Sequence, residues 1–206
     1  MYLEAIGSKR QKVFQKLKEF RGFYLVGGTA LALQIGHRVS VDFDLFSNKK
    51  ISPNFLDKVE KVFKDYKISV VINNSNQLTV KIDKIKIDFV KYLFPPILGF
   101  INYQGVNILK ISEIAAMKAN VLGRRPSLKD YIDLYFILKD KYIDLNGIIS
   151  IAEKKYKDEF NGRLFLEQLI YLQDVREMRI NFLKESVSKQ QLHEFFEEEI
   201  KKIKLG

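Results

Sequence analysis

Cysteine is absent from this 206-residue chain, so neither a disulfide framework nor a thiolate metal site can exist. Histidine is nearly absent as well, with only His37 and His193, which leaves no material for a histidine-rich metal centre. Long hydrophobic runs are missing. The longest, YLFPPILGFI at 92–101, is short and broken by two prolines, and the opening MYLEAIGSKRQK has no apolar secretory core. The expectation is a soluble, cytoplasmic protein with no membrane partner. Internal repeats, low-complexity tracts and a flexible linker are also lacking.

What is present is a composition that folds, 47% hydrophobic and 29% charged, long enough for one generous domain or two small ones. Thirty-five Lys and Arg stand against 25 Asp and Glu, a formal charge of +10. Such an excess attracts polyanions, although solvated lysines of a lysine-rich composition account for it equally well. The charge supports other arguments and carries none alone.

Hydrophobic spacing divides the chain near residue 110. Leu3, Ile6, Val13, Leu17 and Phe20 predict a first helix ending near Arg21-Gly22, followed by a short buried strand FYLV, a Gly27-Gly28 turn and a compact helix TALALQIG closed by Gly36. In VSVDFDLF the apolar Val41, Phe43 and Leu45 alternate with Asp42 and Asp44, so the strand carries both carboxylates on one face. Ser52 and Pro53 predict the start of a further helix. KISVVI, LTVKID and IKIDFV then read as an antiparallel meander, and INYQGVNIL as a hairpin turning at Gln104-Gly105. Helical periodicity follows at 113–124, 127–139, 145–156, 162–184 and 188–203. The expectation is an α+β protein: a mixed β-sheet flanked by helices over 1–110, closely packed against an all-helical bundle over 111–206.

Two aspartates at i and i+2 on a strand stand close enough to share a divalent cation. Asp88, on the polar face of IKIDFV, would join them if its strand were adjacent, giving the oxygen set that holds one or two Mg²⁺ (or Mn²⁺) ions and activates a hydroxyl. Gly27-Gly28 opening a helix beside Thr29 forms a turn without Cβ atoms, whose N–H groups can face a phosphate. Alone, the D-x-D pair reads equally as a solvated strand face, and the glycines as a plain turn. Together, in the order strand, turn, helix, strand, they point to a nucleoside triphosphate.

The run VGGT, with twelve residues between Thr29 and the D-F-D of Asp42 and Asp44, resembles the signature of the DNA polymerase β-type nucleotidyltransferase superfamily. GGTALALQIGHRVSVDFDLF more narrowly resembles the AbiEii/AbiGii toxins, nucleotidyltransferase-like toxins of type IV toxin–antitoxin and abortive infection systems related to the MenT toxins. KIKID at 84–88 resembles the family's second motif, with Ile85 where Trp often follows the lysine. SEIAAMKANVLGRR resembles the third, with Lys118. RRPSLKDYIDLY resembles the fourth, with Lys129, Asp130 and Asp133, and LIYLQDVR at 169–176 resembles a late family segment.

The resemblance implies a nucleotidyltransferase-like domain at 1–110 and a helical domain at 111–206 closing the nucleotide cleft. It places Gly27, Gly28, Thr29 and Lys118 on the triphosphate, with Lys129 and Asp133 as supporting nucleotide contacts. It assigns Asp42, Asp44 and Asp88 to metal, and these three with Lys118 to catalysis. The implied reaction moves NMP from an NTP to a hydroxyl, with RNA, tRNA especially, as acceptor, and with a DNA-binding antitoxin encoded nearby as partner. The alternatives are a transferase acting on a protein or an aminoglycoside-like small molecule, and a catalytically silent nucleotide-binding partner module.

The residues themselves leave some roles open. Lys118 shares a helical face with Ile114 and Leu122, which suits a lysine passing the core edge or a desolvated charge aimed at phosphate. Asp130, three residues after Ser127, suits a helix cap as well as a site, and Arg124 and Arg125 suit a helix terminus as well as a phosphate. His37, Arg38 and Ser40 are read as packing and loop-fixing residues.

Overall fold

The computed structural model describes residues 1–124 and 127–203. Arg125 lies outside them. The chain forms two compact units, Met1–Lys110 and Ile111–Gly206.

The first unit is built on a seven-stranded mixed sheet in the order β3-β4-β5-β2-β1-β7-β6. Its strands are β1 (Tyr24–Val26), β2 (Phe43–Ser47), β3 (Ile68–Asn73), β4 (Gln77–Ile82), β5 (Ile85–Lys91), β6 (Phe100–Tyr103) and β7 (Val106–Leu109). β3, β4 and β5 form the antiparallel meander, and β6 and β7 the hairpin. Both hairpin turns adjoining β5 and β7 are two-residue turns with φ positive at both positions, Asp83-Lys84 and Gln104-Gly105, the geometry whose twist matches that of the flanking strands. Parallel pairings join β2 to β5 and β1 to β7. β1 is buried at all three positions, as a central strand covered on both faces must be.

Helices α1 (Gly7–Lys16), α2 (Gly27–Ile35) and α3 (Phe55–Val62) flank this sheet. The single first helix expected from periodicity is three pieces. A 3₁₀ turn at Leu3–Ile6 precedes α1, set off by Gly7 at φ +67, and another at Leu17–Glu19 follows it. α3 also starts later than Ser52-Pro53 suggests: Asn54 is its N-cap, and the Ser52 carbonyl instead closes a turn with the Phe55 N–H. The core beside it is aromatic, with Phe20 and Phe55 each 4.9 Å from the Phe89 ring of β5, an edge-on arrangement favoured by ring quadrupoles.

The second unit is all helical: α4 (Ile111–Leu122), α5 (Leu128–Lys139), α6 (Leu145–Tyr156), α7 (Gly162–Ile170) and α8 (Lys189–Lys201). α8 opens with a full capping box between Ser188 and Gln191. A buried ion pair, Lys155 Nζ to Glu113 Oε1 at 2.7 Å, ties α6 to α4. The helix expected over 162–184 stops at Ile170. Its last carbonyls are taken up by other elements: the Tyr131 hydroxyl donates to Gln168 O at 2.9 Å and lies 3.1 Å from Tyr171 O, while His193 Nδ1 lies 3.0 Å from Ile170 O. Burial, with the charge of Asp130 beside it, pushes the Tyr131 phenol up to about 12. No helix among the described residues is long and apolar enough to cross a membrane.

Candidate active site

β1 delivers the chain into Gly27 and Gly28, which begin α2. Val26, the N-cap, has no side-chain cap, so the first N–H groups of the helix are not consumed by a capping side chain. Gly27 sits at φ +71, and a Cβ there would lie 2.7 Å from Asp44 Oδ2. A Cβ on Gly28 would lie 2.5 Å from Arg38 Nη2. Gly27 is required by its positive φ as well as by the carboxylate beside it, while at Gly28 the guanidinium of Arg38 occupies the space a Cβ would need.

β2 is clamped between β1 and β5, with Asp44 opposite Val26 on one flank and Asp88 on the other. In-register neighbours project from the same face, so Asp44 and Asp88 stand side by side, with Asp42 just before the strand. The alternation legible in VDFDLF and IKIDFV is realised: Phe43, Leu45, Ile87 and Phe89 are buried in the core.

Asp88 is 6% exposed. Its Oδ1 accepts from the hydroxyl of Thr79, its partner on β4, at 2.5 Å, and its Oδ2 is 2.5 Å from Lys86 Nζ. That hydrogen bond holds the Lys86 ammonium above the usual lysine range, against the opposing effect of desolvation, and the charges of Asp88, Asp44 and Asp42 all add to it. One lysine thus senses all three carboxylates. Sequence reasoning missed Lys86. The motif drew attention to Lys84, which stands in the β4–β5 turn. A lysine alternating with Asp88 on a strand face was the available signal.

Among the described residues no three Asp, Glu or His side chains stand close enough to hold a metal ion between them. The hard carboxylate oxygens of Asp42 and Asp44 nonetheless suit Mg²⁺ or Mn²⁺, which are commonly held by one or two carboxylates plus substrate phosphates. The space kept clear at Gly27 beside Asp44 fits such an arrangement.

Thr29 is buried, and its hydroxyl turns inward: it donates to the Asp42 carbonyl and shares a 2.8 Å hydrogen bond with Ser40 Oγ. Thr29 therefore ties the start of α2 to the main chain of the carboxylate strand, and its N–H, not its hydroxyl, is the group placed like those of Gly27 and Gly28. Arg38 is only 3% exposed, with Nη1 3.2 Å from the Val39 carbonyl. The sequence reading treated Arg38 as a loop residue, yet it is a buried cation at the glycine turn.

In the helical unit, Lys118 of α4 reaches two carboxylates of α5, Asp130 Oδ1 at 2.7 Å and Asp133 Oδ2 at 2.5 Å. The Asp133 side chain is fully buried and that of Lys118 nearly so. Asp130 is not used as a cap side chain: Ser127 makes no side-chain cap, and the two meet only through a backbone bond, Asp130 N to Ser127 O. Lys129 lies half-buried on the same helix.

The sequence model of the family described as "Nucleotidyl transferase AbiEii toxin, Type IV TA system" matches residues 12–205. The chain belongs to this AbiEii family of nucleotidyltransferase toxins. An uncharacterized protein of Aquifex aeolicus, aq_aa25, is 31% identical over 157 residues, covering 75% of this chain and 76% of that one. Among solved structures, the chain resembles MenT4, a nucleotidyltransferase toxin of Mycobacterium tuberculosis, with a TM-score of 0.60 at 16% identity over 94% of this chain and 83% of that one. It also resembles JHP933 of Helicobacter pylori, with a TM-score of 0.54 at 16% identity over 95% and 97% of the two chains. At such identities the structural likeness speaks for the fold, and the AbiEii family match for nucleotidyl transfer.

Proposed function

We propose that this AbiEii nucleotidyltransferase transfers NMP from an NTP to a hydroxyl of RNA, tRNA especially, in a metal-dependent reaction, as the toxin of a type IV-like pair whose antitoxin is a DNA-binding protein. The observation that carries the reading is the seating of Asp44 Oδ2 against Gly27, which puts a carboxylate and the open N-terminus of α2 at one spot. The N–H groups of Gly27, Gly28 and Thr29 receive the triphosphate. Arg38, buried beside Gly28, adds positive charge there. A divalent cation held by Asp42 and Asp44 would neutralise the phosphates and polarise the α-phosphoryl group.

The acceptor oxygen attacks the α-phosphorus, the bond to the bridging oxygen breaks, and pyrophosphate leaves. Both Asp88 oxygens already accept one hydrogen bond, and each keeps a lone pair for the acceptor's proton or for an ion. Lys86 offsets the charge gathered by the three aspartates. The reading keeps Lys118 as a triphosphate contact of the helical unit and Lys129 as a supporting one, whereas Asp133, fully buried against Lys118, supports the site only by holding that ammonium together with Asp130. Positioning and charge neutralisation supply the rate.

The test is incubation with Mg²⁺, each α-labelled NTP in turn, and total tRNA. Label should reach tRNA and fall by about 10³-fold or more in Asp42→Asn with Asp44→Asn, as loss of several kcal/mol of charge stabilisation requires. Equal labelling by the variant would sink the mechanism. Label on protein or on an aminoglycoside instead of RNA would move the acceptor, and NTP binding without any product would leave only a binding module.

A further inference from the structure

Away from the carboxylates, the first unit carries a groove of about 900 Å³ between α1 and α3, lined by five lysines: Lys12, Lys16, Lys18, Lys58 and Lys61. A second hollow of about 450 Å³ adjoins it, lined by Lys9, Arg10 and Lys84. Lys12 and Tyr66 line both, so the two hollows meet at these side chains and together make one basic channel along the surface. Along it, eight basic side chains face only two acidic ones, Glu19 and Asp83. Its inner end adjoins the carboxylate strand, since Arg10 Nε donates to the Val41 carbonyl at 3.0 Å, one residue before Asp42.

Helical periodicity explains how the sequence makes this. Val13 and Leu17 face the core, which leaves Lys9 and Lys12 exposed and Lys16 half-buried along a helix about 15 Å long, with Lys18 exposed in the 3₁₀ turn that follows it. On α3, Val59 is buried and Lys58 and Lys61 are exposed. At the floor, Lys16 Nζ lies 5.7 Å over the Tyr66 ring and donates to the Val62 carbonyl at 3.1 Å, which fixes one cation in place.

We propose that this channel is the docking track for the phosphodiester backbone of the acceptor RNA, leading it from α3 along α1 to the end of the sheet where β2 begins, from which the RNA end turns over the rim to Asp42. The inference rests on the reading of the acceptor as RNA. Single-sign charge lining a cleft concentrates a polyanion and steers its approach, and lysines spread over two helices suit sequence-independent phosphate contacts. The channel is concave and none of its lining residues is an exposed large hydrophobic, which favours a strand of nucleic acid over a lipid surface, where apolar side chains would be inserted.

The test measures binding of fluorescein-labelled single-stranded RNA and of total tRNA by the full chain across a salt series. The groove variant is Lys12→Ala, Lys58→Ala and Lys61→Ala. The control variant, Lys49→Ala, Lys50→Ala and Lys110→Ala, removes the same charge from exposed positions outside the channel. The groove variant should bind RNA roughly 10-fold or more weakly near physiological salt, and the slope of log K against log salt should become shallower by about 2 to 3, as loss of three phosphate contacts requires. The control variant should change far less.

Equal weakening in both variants would reduce the effect to net charge and overturn the track. So would unchanged RNA binding by the groove variant, or no RNA binding by the wild type. A groove variant that loses binding to phosphatidylserine vesicles but keeps RNA would also overturn it. The underlying reading is judged separately: label on protein with RNA still bound in the groove refutes the acceptor and spares the track, whereas wild-type labelling of tRNA by the groove variant does the reverse.

Discussion

At the scale of single residues, Gly27 and Asp44 define each other. A methyl at Gly27 meets Asp44 Oδ2 at 2.7 Å and must also hold φ +71, a backbone conformation that costs a side-chain-bearing residue roughly 1–3 kcal/mol. Gly27→Ala should therefore lower kcat/KM by about 10²-fold, the scale expected when a catalytic group is displaced by an ångström, with a modest fall in melting temperature. Gly22→Ala, where nothing lies within 4 Å and φ is ordinary, should leave both unchanged. Equal activity of the two variants in a labelled-NTP assay would show that the Gly27 contact does not matter. The three aspartates were legible because strand alternation fixes which side chains share a face. Lys86 and Arg38 were not, because their roles depend on which strand or loop lies alongside, and a lysine on a strand face or an arginine in a loop looks solvated until the neighbours are known.

At the scale of elements, the link between α4 and α5 is a cation enclosed by two acids. Removing one partner of a buried pair leaves the other desolvated and costs about 3–5 kcal/mol. Lys118→Met should thus destabilise the chain by about that amount in urea unfolding, and adding Asp133→Leu should recover most of the loss. If Lys118→Met left the unfolding midpoint unmoved, the pair would have no structural weight. The sequence left Lys118 balanced between core edge and phosphate contact; the structure adds that its ammonium is held by Asp130 and Asp133. The same scale shows where periodicity misleads. Residues 171–184 keep helical spacing, yet α7 ends at Ile170, since Tyr131 and His193 accommodate its terminal carbonyls from distant positions in the chain. A spacing rule cannot register such partners.

At the scale of the molecule, the first unit's sheet has an exposed flank. β3 lies at one end, exposes Val70, Val71 and Ile72, and has only a register shift between Val70 and Ile72 to blunt pairing with another chain. Val71→Lys should raise the concentration at which the protein stays monodisperse in light scattering, with the melting temperature shifted by less than the cost of a core substitution. Unchanged or greater association would show that other surfaces govern solubility. The α+β architecture, with the meander and hairpin in place, was legible because strand and helix periods differ. The strand order was not, since parallel pairings such as β2 with β5 join segments some forty residues apart and are decided by burial of both faces.

That distant pairing governs when the proposed catalytic centre can exist. A nascent chain that has released only the glycine turn and Asp42 to Asp44 holds neither Asp88 nor its lysine, and β1, already flanked by β2, lacks its other neighbour until β7 arrives near Leu109. The cluster draws on three strands spread from Gly27 to Asp88, so a chain cut between those positions loses it as a whole: the three carboxylates meet only once β5 has docked beside β2.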